Sequence, residues 1–135
     1  MVEIISYSKV VQHERLTARL NDLSALVSAA RREGPELVAS PMLVFAAAAL
    51  LGDIYRLVSR EPGARALGRL DRQHRPSHRA LAAHLRDARL ALDAFAWNHR
   101  DHDDDCGEEW LTFEGIDGRR EQRGQNLSPS PDGDA

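Results

Sequence analysis

The stretch Ser40-Pro-Met-Leu-Val-Phe-Ala-Ala-Ala-Ala-Leu-Leu-Gly-Asp-Ile-Tyr-Arg-Leu-Val58 decides the fold. Ser40 supplies a side-chain oxygen suited to a helix N-cap, and Pro41 fits the first turn, where no backbone donor is needed. From Met42 to Leu51 every residue is apolar, so a helix here is greasy on all faces. Such a helix is either buried or in a bilayer. A bilayer span needs about 20 apolar residues, whereas Asp53 and Arg56 interrupt this run directly after Gly52. The expectation is therefore a central core helix and no membrane. Ala46–Ala49 are small enough to let a neighbouring helix come close.

On the N-terminal side, residues 9–33 form a second helical pattern. Leu16, Leu20, Leu23, Val27 and Ala30 recur at three- and four-residue steps, with His13 at the edge of the same face. Apolar groups so spaced share one side of a helix. Gly34-Pro35 stops it, with Gly34 expected as a left-handed cap.

On the C-terminal side, Glu61-Pro62-Gly63 breaks the chain. A short helix is expected over about 64–74, with Leu67, Leu70 and His74 on one face and Arg65, Arg69 and Arg72 on the other. Pro76-Ser77 then opens a long helix to about residue 100. Leu81, Leu85, Ala88, Leu92 and Phe95 make one stripe; Ala83, Leu90, Ala94 and Trp97 make a second, roughly opposite. A helix with two apolar faces is central or has a partner outside the monomer. These elements predict an all-α fold: a small four-helix antiparallel bundle, its third helix short.

Beyond Arg100 the helical pattern fails. Residues 1–100 are expected to form the bundle domain, 101–116 an acidic linker with a short docked segment, and 117–135 a disordered tail poor in apolar residues. Val2, Ile4 and Tyr7 would pair with Trp110, Leu111, Phe113 and Ile116 in a short terminal β ribbon.

Charge is unevenly distributed along the 135 residues. The formal net charge is −3, yet residues 56–100 hold ten basic and four acidic groups, and residues 101–135 hold three and eleven. A basic middle beside an acidic end suits a partner surface, or two blocks that pair loosely. The basic surface comprises Arg65, Arg69, Arg72, Arg75, Arg79 and Arg86. Nucleic-acid binding through it is the alternative function, although no aromatic residue is interleaved with these arginines.

One cysteine, Cys106, leaves no internal disulfide, and the first residues lack a basic start followed by an apolar run. A cytoplasmic location follows as an expectation. His99, His102, Asp103 and Cys106 would share a face if the last helix continued, and imidazole, carboxylate and thiolate together suit a divalent transition metal. No paired cysteine spacing accompanies them, and a solvated acidic linker explains the same residues. His74 and His78 have the spacing of a metal pair, but Pro76 lies between them. His13, His74, His84 and His99 fall at or near apolar faces and are expected to be packing residues.

Arg69–His74 and Arg79–His84 both read R-x4-H, a spacing that resembles the motif of HEPN-type ribonucleases, which are small all-helical proteins. The resemblance implies RNA cleavage, with an Arg holding phosphate beside a His base. It covers only these two six-residue windows. Leu70 and Ala80 stand where that family usually has a polar residue. Random placement of the Arg and His present would give about one such pair.

Ser6-Tyr-Ser-Lys9 matches S-x-x-K without the companion motifs of that chemistry. The expectation is thus a non-enzymatic accessory or regulatory protein, with Leu90, Ala94 and Trp97 as the seat for a protein partner or a homodimer. No cofactor is called for.

Overall fold

The computed structural model describes residues 4–62, 64, 67–71, 73–101 and 109–114. The protein is predominantly helical. Among the described residues there are three helices: α1, Tyr7–Glu33; α2, Pro41–Val58; and α3, His78–His99. Two two-residue strands follow, β1 (Arg100–Asp101) and β2 (Glu109–Trp110). The chain divides into two compact units, Val11–Trp97 and a unit drawn from both chain ends.

In the unit Val11–Trp97, the three helices share one core. α1 buries His13, Leu16, Leu20, Leu23 and Val27; α3 buries Leu81, Leu85, Ala88, Leu92 and Phe95. These are the periodic stripes of the two helices. α2 contributes Val44, Ala47, Leu50, Leu51, Ile54, Leu57 and Val58. The caps are those the sequence announces: Leu43 N–H donates to Ser40 Oγ (3.2 Å) and Ala80 N–H to Ser77 Oγ (3.1 Å).

Cross-helix contacts give the topology. Along α1, His13 meets Leu92, Asn21 meets Arg89, and past the helix end Gly34 meets His78. The α3 numbers fall as the α1 numbers rise, so these two helices are antiparallel. The loop after α1 is zipped to the start of α3. Ala39 N–H donates to Pro76 (2.8 Å), His78 N–H to Leu37 (2.9 Å), and Arg79 N–H to Pro35 (2.9 Å). His78 Nδ1 donates to the Gly34 carbonyl (2.8 Å). α2 and α3 therefore start at the same end and run parallel, joined by the crossover 59–77.

That crossover differs from the expected third helix. Residues 67–71 and 73–76 are not helical. A helix of about 11 residues is marginal in water on its own, and here Gly68 lies inside it while Pro62-Gly63 and Pro76 bracket it. The crossover keeps two apolar anchors, Ala64 and Leu67, both buried. The bundle thus has three helices, two of them parallel, instead of four antiparallel ones. Gly34 also departs from expectation. Its φ lies outside the left-handed region, and its N–H closes a last helical bond to Ala30 (3.1 Å). A Cβ there would meet the Leu37 side chain.

In the unit of the chain ends, β1 and β2 pair antiparallel, Arg100 opposite Trp110 and Asp101 opposite Glu109. The Arg100 guanidinium lies 4.5 Å from the centre of the Trp110 ring, a cation–π contact. Ile5 bridges Thr112 in parallel, through Ile5 N–H to Leu111 (3.1 Å) and Phe113 N–H to Ile5 (3.1 Å). Among the described residues the expected terminal ribbon shows this one bridge; Val2 and Ile116 lie outside them. Tyr7 already belongs to α1, where its N–H donates to Glu114 Oε2 (2.9 Å), placing a carboxylate at the positive end of the helix. The acidic run from His102 and the tail from residue 117 lie outside the described residues.

Candidate functional site

α3 buries one apolar stripe, and its second, roughly opposite, stripe faces outward. Ala83, Leu90, Ala94 and Trp97 are all exposed, Leu90 and Trp97 at 61% each. The three residues expected to seat a partner, Leu90, Ala94 and Trp97, are therefore in one line on the surface, as their spacing requires. Beside them runs a groove of about 470 Å³. Val58, Pro62, Ala64 and Leu67 line one wall, and Leu90, Ala91 and Ala94 the other, with Glu61 and Asp87 at its edges. The groove exists because the crossover is an irregular strand of chain. A fourth helix would have filled it.

The helix read as central from its composition is not central. α2 buries seven of its 18 residues, and the opposite face is open. Met42 is 83% exposed and Phe45 66%, with Ala46 and Tyr55 exposed beside them. A second groove, of about 590 Å³, runs along this helix between Ala48, Gly52 and Tyr55 and the crossover residues Leu67, Gly68 and Leu70. The sequence concealed this face because an uninterrupted apolar run has no period to mark which side is in. By length and composition α2 also meets the requirement for a bilayer span.

The basic residues are placed otherwise than on one stripe. Arg65 and Arg72 lie outside the described residues. Arg69 lines the groove beside α2. Arg79 pairs with Glu36 (3.0 Å), and Arg75 reaches the Ala39 carbonyl (3.4 Å). Arg86 instead joins Arg31 and Arg89 around a groove of about 240 Å³ between α1 and α3, with Ser24 and Ser28 on its α1 wall. Arg89 donates to Asn21 Oδ1. Only the fold brings Arg31 to this cluster, which is why spacing within one segment missed it.

The histidines divide by burial. His13 is buried; its Nε2 donates to the Leu92 carbonyl (2.9 Å) and its ring stacks on Phe95 at 5.8 Å. His78 clasps the loop as described, and His99 is buried. His74 departs from the expectation of an apolar face. It is exposed and pairs with Asp71 (2.9 Å). That side-chain hydrogen bond, then the Gln73 N–H, hold the Asp71 carboxyl below its ordinary range. With His74 committed to Asp71 and Arg79 to Glu36, neither R-x4-H pair presents an Arg and a His that are both available. Of the suggested metal ligands, His102, Asp103 and Cys106 lie outside the described residues, and no group of three ligating side chains occurs among the described ones.

Comparison with protein-family models, with curated proteins and with solved structures gave no match.

Proposed function

We propose that this chain is a small cytoplasmic accessory or regulatory protein that acts by association, taking a helix of a protein partner along the outer stripe of α3. The observation that carries this reading is the alignment of Leu90, Ala94 and Trp97 beside an apolar groove, with both large side chains 61% exposed. Large apolar side chains grouped on a surface mark interaction sites, and Trp is enriched among residues that dominate binding energy. Ala94 between Leu90 and Trp97 leaves room for a partner side chain to seat. The carboxylate of Asp87 at the groove favours a partner helix with a basic residue flanking its apolar anchors. The test is a pull-down from host extract with wild type, Trp97→Asp and Leu90→Asp. The expected result is one stoichiometric partner lost with both variants. Retention of the same partner by both overturns this seat.

A second reading, nucleic-acid contact, is supported by the groove of Arg31, Arg86 and Arg89 with Ser24 and Ser28. Binding of this kind weakens steeply with salt. Arg86→Glu with Arg89→Glu would abolish it, and salt-independent or absent binding by wild type would remove the reading.

A further inference from the structure

We infer that the exposed face of α2 is the seat of a second copy of this chain, forming a two-fold dimer. The face is distinct from the α3 stripe and stands or falls separately from it. Met42, Phe45, Ala46, Ala49, Gly52 and Tyr55 lie on the side of α2 away from its buried residues. Its charged groups, Asp53 and Arg56, are already paired with each other (3.0 Å), and Asp53 also with Arg19 (2.7 Å). Arg56, 79% exposed, and Arg69 also line the groove, so a covering copy must leave both guanidinium groups at the solvent edge, because burying charge is costly.

Area reaches the lower limit for a specific contact. At the exposures of Met42, Phe45 and Tyr55, each large side chain offers on the order of 100–150 Å². With the small residues between them the face provides roughly 500 Å². Two copies would bury about 1,000 Å² in total, the threshold for a specific interface.

Shape selects the occupant. The bulky residues, Met42 and Phe45, are at the start of α2. The middle is Ala46, Ala48 and Ala49, and the groove opens at Gly52 and Tyr55. A two-fold contact is self-complementary: what one copy projects, the other must receive. With two α2 helices antiparallel and the axis near Ala48 and Ala49, Phe45 of each copy faces the groove of the other. Gly52 fits the same arrangement. A mid-helix glycine costs up to about 1 kcal/mol relative to Ala, and nothing lies within 4 Å of where its Cβ would stand. Among the described residues no intramolecular neighbour accounts for the missing side chain, whereas a helix approaching from a second copy would. A lipid surface rewards bulk along the whole face and has no use for a small middle or a groove.

Sedimentation equilibrium of the full chain up to about 200 μM tests this. The expected mass is twice the 15.0 kDa of the chain. Phe45→Glu and, as a second variant, Gly52→Leu should give monomers with unchanged circular dichroism. Phe45→Leu and Trp97→Asp should remain dimeric. With Cys106→Ser as background, Ala49→Cys should cross-link to itself on mild oxidation and Leu90→Cys should not. A monomeric wild type at the highest concentration overturns the inference. So does a dimer that survives both disruptive variants, or a wild-type chain that floats as monomer with phosphatidylcholine vesicles. Loss of the dimer with Phe45→Glu but retention with Trp97→Asp separates this face from the α3 seat.

Discussion

α1 and α2 bury comparable stripes but differ in what they show outside. α1 presents Gln12, Glu14, Arg15, Arg19 and Asp22 to solvent, whereas α2 presents Met42, Phe45, Ala46 and Tyr55. In α1 the periodic apolar residues serve the core and the outer face is mostly polar, with Leu26, 60% exposed, as its large apolar exception. In α2 the apolar residues exceed what one core-facing stripe can use. The exposed part of that surplus gains no transfer free energy in a single chain. Two substitutions on α2 separate the faces by the largest margin. Ile54 is fully buried, so Ile54→Ala should cost roughly 3 kcal/mol in urea unfolding. Met42→Ala, measured at a concentration too low for association, should cost no more than about 0.5 kcal/mol. Similar losses for both would mean that the outer face of α2 is packed within the chain.

The same contrast explains what was legible beforehand. The stripes Leu16–Leu20–Leu23–Val27 and Leu81–Leu85–Leu92–Phe95 alternate with polar residues, so their inward direction follows from period alone. Ser40 and Ser77 announce two helix starts through a local hydrogen bond, which needs no knowledge of the fold. The line of Leu90, Ala94 and Trp97 was readable from its spacing, but whether it is buried or exposed was not, because a second apolar stripe fits either a central helix or an outward face. Three further features were not readable. The run Met42–Leu51 has no polar residue to break the symmetry between its faces. The crossover carries helix-compatible residues, but its path is set by the need to return along α2, a constraint absent from local sequence. The arginine groove joins Arg31 to Arg86 and Arg89 across 55 positions or more of chain, which only antiparallel packing of α1 on α3 can create.

A smaller effect sharpens the comparison at one position. Gly52 is the single residue of α2 without a side chain, and the space beside it is open. In a free chain, Gly52→Ala should stabilise by about 0.5–1 kcal/mol through helix propensity and a less flexible unfolded state. Calorimetry at low concentration would register this as a rise of a few degrees in Tm. A fall in Tm would mean that some part of the same chain occupies that space, and the glycine would then be explained from within.

The smallest effect belongs to the polar link between the two helices. Asp53 on α2 accepts from Arg19 on α1 at 2.7 Å and from Arg56 at 3.0 Å. All three side chains are at least a third exposed, so water and salt screen both pairs. Asp53→Asn should cost about 0.5 kcal/mol or less, and the difference from wild type should shrink further in high salt. The link matters more for where it sits than for its strength. It holds the charged groups of α2 against the rim of the α1 face and so leaves the rest of the outer face apolar. A loss above about 1.5 kcal/mol that persisted in salt would instead make Asp53 a structural pin between the helices. The apolar outer face of α2 would then be bounded by a rigid polar edge on which any second chain must align.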